Sequence, residues 1–126
     1  MSNENSQYLE LVKLILPPEI FDYFEITKLN SDDKKIKVYL DEKNHILEEF
    51  RDQKVHSKGF YDATVIQDFP IRERAVFLHV RRRRWTLIDT NKVVFRQSET
   101  VAKGSRYTKG FATFLKAIHR EISGQL

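Results

Sequence analysis

The chain has no cysteine. A disulfide framework and a thiolate-bound metal are therefore both excluded, and the composition fits a reducing cytosol. No apolar run approaches the roughly 20 residues that a membrane span needs. The start, Met1-Ser2-Asn3-Glu4-Asn5, is polar and acidic, with no basic stretch ahead of an apolar one. A secretory signal is not expected there, and a cytoplasmic location is. Gly-x-Gly-x-x-Gly, Gly-x-x-x-x-Gly-Lys-Ser/Thr and Gly-x-Ser-x-Gly are all missing, so neither a phosphate-cradling loop nor a serine nucleophile elbow is expected.

Convergent catalytic or metal-binding groups are missing as well. The four histidines, His45, His56, His79 and His119, are scattered, with no His-x-x-x-His and no His-Glu-x-x-His. A structural zinc would need ligands from distant positions, and none is expected. His79 reads as a strand residue on the solvent side. Asp32-Asp33, Asp41-Glu42 and Glu48-Glu49 are adjacent pairs whose side chains diverge, the pattern of solvated acids. No cofactor and no catalytic residue is assigned.

What the chain does have is enough apolar residue for a fold. At 126 residues, 40% hydrophobic and 32% charged, it is one domain with a modest core rather than a disordered segment. The net charge of +4 hides a segregation. Met1 to Asp62 carries 9 Lys+Arg against 13 Asp+Glu, a balance of −4; Ala63 to Leu126 carries 13 against 5, a balance of +8. The basic residues of the second half are mostly arginine up to Arg96, and a planar guanidinium fork suits phosphate. The split points toward a nucleic-acid face in the second half, with clustered solubility charge as the plainer alternative.

Periodicity predicts an α+β fold. Met1 to Ser6 should fray, and residues 7–24 should be helical. Tyr8, Leu11, Val12 and Ile15 recur at helical spacing, Pro17-Pro18 stops the first helix, and Pro18 can open a second over Glu19 to Phe24. Residues 25–97 should be mainly β. Glu25 to Leu29 and Lys35 to Leu40 read as strands around Asn30-Ser31-Asp32-Asp33. Asp41 to Gln53 is weakly patterned, either a short helix or an irregular loop. Lys54 to Gly59 reads as loop, and Phe60 to Phe69 as a strand ended by Pro70. Ala75 to Trp85 is the strongest strand, and Val93 to Arg96 returns as its hairpin partner. Phe111, Phe114, Leu115, Ile118 and Ile122 mark a C-terminal amphipathic helix over residues 106–122, capped by Ser105 or Thr108.

The most unusual stretch is Arg81-Arg82-Arg83-Arg84-Trp85, which follows the alternating Val76, Leu78, Val80. Four adjacent guanidinium groups cannot all be buried. Continued alternation would send Arg82 and Arg84 to the Val80 side and Arg81, Arg83 and Trp85 to the other. The arginines either meet phosphates or guard a sheet edge, and Trp85 either stacks on a base or packs in the core. Lys92, Arg96, Lys103, Arg106 and Lys109 follow closely and would widen a basic surface.

Beyond this reading, the chain resembles a known group. Gln67-Asp68-Phe69-Pro70-Ile71-Arg72, Leu78-His79-Val80 with the arginine block and Trp85, Val101-Ala102-Lys103-Gly104-Ser105-Arg106-Tyr107-Thr108 and Phe111-Ala112-Thr113-Phe114-Leu115-Lys116 carry the resemblance. Leu11-Val12-Lys13, Leu16-Pro17 and Phe21-Asp22-Tyr23-Phe24 add to it. The chain is similar, from about Tyr8 to Ile122, to the N-terminal-region proteins of a bacterial insertion-sequence transposase group. In that group the transposase is split over two reading frames. The resemblance implies a DNA-binding accessory subunit for transposon ends, with the catalytic acidic triad on a separate companion chain. The group is distantly allied to transposases with an N-terminal zinc ribbon. Here Thr86-Leu87-Ile88-Asp89-Thr90-Asn91 has no cysteine. A ribbon-like hairpin would rest on hydrogen bonds and on Trp85, Leu87, Ile88, Val94 and Phe95.

The expectation is thus an α+β domain. It has N-terminal helices, an antiparallel sheet with a ribbon-like hairpin lacking zinc ligands, and a C-terminal amphipathic helix. Arg81, Arg82, Arg83, Arg84, Trp85, Lys92, Arg96, Lys103, Arg106 and Lys109 would contact double-stranded DNA. The rival expectation is a protein-interaction module whose basic face docks on the companion without touching DNA.

Overall fold

Two sheets organise the protein, and the chain passes between them three times, the last time at Arg82. The computed structural model describes residues 3–94 and 106–125. The elements are α1 (Asn3–Ile15), α2 (Ile20–Tyr23), β1 (Phe24–Ser31), β2 (Lys35–Glu42), a short 3-10 turn (Glu48–Phe50), β3 (Val55–Phe60), β4 (Thr64–Ile71), β5 (Arg74–Arg81), β6 (Arg83–Leu87), β7 (Val93–Val94) and α3 (Lys109–Gln125). The fold is α+β, as its periodicities predict.

The first sheet has the order β1-β2-β5-β4. Its two hairpins, β1–β2 and β4–β5, are antiparallel, and they join through a parallel β2–β5 pair. The second sheet, β3-β6-β7, is antiparallel throughout. Alternation explains the core. Val38, Leu40, Val76, Leu78, Val80 and Ile66 point to one face and are buried there with Leu16, which follows α1, Ile20 of α2 and Phe24 at the start of β1. Lys43 ties the end of β2 to that cover, donating its backbone N–H to the Tyr23 carbonyl at 2.7 Å and its ammonium to the Phe21 carbonyl at 2.8 Å.

Helix α1 runs from Asn3, earlier than the expected fraying of Met1 to Ser6 allows. It packs only in part: Val12 meets the core, while Leu11, Leu14 and Ile15 are exposed. Helix α3 starts and ends about three residues later than the expected 106–122. Thr108 caps it, accepting the Phe111 N–H and donating to the buried Asp68 carboxylate at 2.8 Å. Gly110 is more than a weak helix former, because a Cβ there would stand 3.3 Å from the Phe69 ring, which packs on the helix through Phe111 and Phe114.

Three readings are corrected. Lys54 to Gly59 is not a loop: Val55–Phe60 is strand β3, paired with β6. Its edge position leaves His56 and Lys58 in solvent, so no apolar alternation marks it. Phe60 to Phe69 is not one strand, since Phe60 belongs to β3 and β4 begins at Thr64. Pro70 does not end β4; it lies inside it, within an irregularity between Asp68 and Ile71 where no ladder N–H is required.

Candidate nucleic-acid interface

The arginine block sits at the junction of the two sheets. Even-numbered Val76, Leu78 and Val80 are buried in β5, whereas odd-numbered Trp85 and Leu87 are buried in β6. The phase changes at Arg82, which belongs to neither strand and whose carbonyl accepts the Tyr61 N–H at 2.8 Å. Ala75 to Trp85 is therefore not one strand. The hairpin partner Val93–Val94 pairs with β6 in the second sheet, not with β5.

The four arginines have different surroundings. Arg81 grips Asp41 with two hydrogen bonds, Nε to Oδ1 at 2.7 Å and a terminal nitrogen to Oδ2 at 2.6 Å. Its guanidinium carbon lies 4.3 Å from the Phe60 ring centroid. Arg83 donates from Nε to the Glu42 carbonyl at 2.9 Å and from a terminal nitrogen to Ser57 Oγ at 3.1 Å, and lies 4.7 Å from the same ring. These two hold the frame together. Arg82 and Arg84 make no guanidinium ion pair or hydrogen bond to any described residue. Arg84 is exposed and meets the Tyr61 ring at 5.4 Å.

Trp85 is 1% exposed and donates its indole N–H to Glu42 Oε2 at 2.7 Å. It packs, and presents no face for a base to stack on. The other candidates are dispersed. Lys92 is exposed in the β6–β7 turn, where its carbonyl accepts the Leu87 N–H. Arg106 is exposed beside β4, its carbonyl accepting the Gln67 N–H at 2.7 Å, and Lys109 is exposed at the start of α3. Arg96 and Lys103 lie outside the described residues, as does Phe95 of the expected hairpin packing.

Sequence reasoning missed the partners that sort the arginines. Asp41 and Glu42 read as solvated acids, yet Glu42 is fully buried and Asp41 is half-buried in the Arg81 pair. Phe60 and Tyr61 collect three guanidinium groups between them. No local signal marks these contacts, because their partners lie about 20 to 40 residues away in the chain. Among the described residues, no three histidine or carboxylate side chains converge as metal ligands, and no helix is long and apolar enough to cross a membrane. Comparison with protein families, with curated proteins and with solved structures finds no match.

Proposed function

We propose that this chain is a DNA-binding accessory subunit of a bacterial transposase, working in the cytoplasm on transposon-end duplex DNA beside a separate chain that carries the catalysis. The observation behind this reading is the division of labour in the arginine block. Arg81 and Arg83 are locked to Asp41 and Glu42. Arg82 and Arg84, on the same short and firmly held crossing, are left to meet an anion. Phosphate contacts position a protein without reading bases, and two arginines without a bidentate base partner suit that role. Lys92, Arg106 and Lys109 would extend the contact as separate outlying charges. Trp85 supports the frame from within.

The test is a mobility shift on terminal-inverted-repeat DNA with Arg82→Ala/Arg84→Ala. Binding weakens, circular dichroism stays unchanged, and the slope of log K against log salt becomes shallower by about 1.8, at about 0.9 per phosphate no longer neutralised. Unchanged DNA affinity together with failure to co-purify with the companion would instead identify the rival, a module that docks on the catalytic chain without touching DNA.

A further inference from the structure

The first sheet buries one face, and no described helix or strand packs over the other. On β2 and β5 the open positions are Lys35, Lys37, Tyr39, Asp41 and Ala75, Phe77, His79, Arg81, all of them half-buried or exposed. Register sets them in rows across the sheet. Lys28 stands opposite Tyr39, Tyr39 beside His79, and His79 opposite Val65. In the next row Lys37 stands beside Phe77, and Phe77 opposite Gln67. Two residues along a strand span about 6.6 Å, so the two rows of rings are separate stations rather than one cluster.

Rings and cations alternate on this face. Tyr39 and His79 stack with centroids 4.6 Å apart. The Lys28 ammonium lies 5.6 Å from the Tyr39 centroid and the Lys35 ammonium 6.0 Å from that of Phe77. Burial, with Lys37 adding to it, pushes the His79 pKa below its usual value, so the imidazole is a neutral ring at neutral pH. The acids of the face, Asp41 and Glu25, share the end row, where Arg81 holds Asp41. Beyond β4 the face ends in a cleft of about 230 Å³ lined by Val65, Gln67, Phe77, Arg106 and Tyr107. That is smaller than the roughly 300–1,000 Å³ of a site for a drug-sized ligand, and it combines two rings, an amide and a guanidinium.

We propose that this open face binds single-stranded nucleic acid, with a base entering the cleft of Phe77, Tyr107 and Gln67 and phosphates drawn to Arg106, Lys35 and Lys37. Charge complementarity and chemistry both select this occupant. Lysines flanking aromatic rings match a polyanion whose bases have free π-faces, and single strands are bound by such stacking platforms. A duplex hides its base faces inside the stack, so the rings would have nothing to meet. The proposed contacts do not depend on the duplex reading: Arg106 is the one contact residue common to both, and Arg81 of the arginine block borders the face only at its end row, where it is held by Asp41.

Fluorescence anisotropy of the full chain with labelled oligothymidine and oligouridine about 12 nucleotides long, within the roughly 4–16 of known single-strand sites, tests it at low salt. Saturable binding is expected, with Phe77→Ala weakening it about tenfold, the effect of removing one base stack. Lys35→Ala/Lys37→Ala, which touches exposed or half-exposed positions and spares the fold, makes the salt slope shallower by about 1.4, at about 0.7 per single-strand phosphate. Lys58→Ala, in the second sheet, leaves binding unchanged. The buried Trp85 verifies by its emission that each variant is folded. Preference for thymidine or for uridine separates DNA from RNA. The proposal is overturned by absence of saturable single-strand binding, by equal competition from duplex of the same length, or by Phe77→Ala converting a dimer to monomer while single-strand affinity stays the same.

Discussion

Trp85 donates its indole N–H to the carboxylate of Glu42 at 2.7 Å, and both side chains are almost wholly withdrawn from solvent. The other Glu42 oxygen accepts the Arg83 backbone N–H at 3.0 Å. One buried carboxylate from the first sheet thus fixes the middle strand of the second, which is how a charged crossing is held in place.

Trp85→Phe keeps most of the ring volume but leaves the buried carboxylate short of a donor. It should destabilise the protein by about 1.5–3 kcal/mol, the range for hydrogen bonds to charged groups. Urea unfolding followed by circular dichroism measures this, since the variant no longer has the chain's only tryptophan. A change within experimental error would mean that the indole contributes packing alone.

The arginines should separate in stability as they do in surroundings. Arg83→Ala removes hydrogen bonds to the Glu42 carbonyl and Ser57, and should cost about 1–2 kcal/mol. Arg82→Ala and Arg84→Ala should each stay within about 0.5 kcal/mol of wild type. Thermal melts of the three single variants decide it, and equal destabilisation would contradict the division of labour.

The β4–β5 turn carries a testable strain. Arg72 and Glu73 both have positive φ, 51° and 68°, between the paired Ile71 and Arg74. Two-residue hairpins of this kind favour Asn-Gly, and a side chain in the left-handed region costs roughly 1–2 kcal/mol. Glu73→Gly relieves that cost but adds freedom to the unfolded chain, so a net gain of about 0.5–1 kcal/mol is expected. A lower Tm in the variant would show that the Glu73 side chain stabilises the turn.

His79 gives the open face a pH dependence. Folding lowers its pKa below the usual 6.5, through burial first and Lys37 second. The unfolded chain therefore takes up the proton more readily. Stability from the neutral ring is complete above about pH 6.5 and is lost as pH falls through that value toward the lower folded one. His79→Gln does not titrate, so its Tm should fall less than that of wild type between about pH 7 and pH 5. Parallel curves would place the pH response elsewhere.

Much of the architecture is written locally. Pro17-Pro18 ends α1, Ile36, Val38 and Leu40 alternate as β2 does, and Phe111, Phe114 and Leu115 announce α3. Each is a periodicity or a backbone constraint that acts within a few residues, so it can be read without knowing the partners. The strand β3 escaped because an edge strand in solvent needs no alternation.

The sequence by itself determined the α+β class, the main helix and strand positions, the charge split between the halves and the presence of an arginine block that must meet water or an anion. Only the tertiary structure decided which arginines of the block are held by carboxylate or carbonyl partners among the described residues and which are not. Asp41, Glu42 and Phe60 reach the block through strand pairing across about 20 to 40 residues, and pairing register is a property of the assembled sheet, not of any window of sequence. The same register sets Lys28, Lys37, Tyr39, Phe77 and His79 on one face, although they come from three strands. Residue types supply the chemistry; long-range pairing chooses which of them stand together.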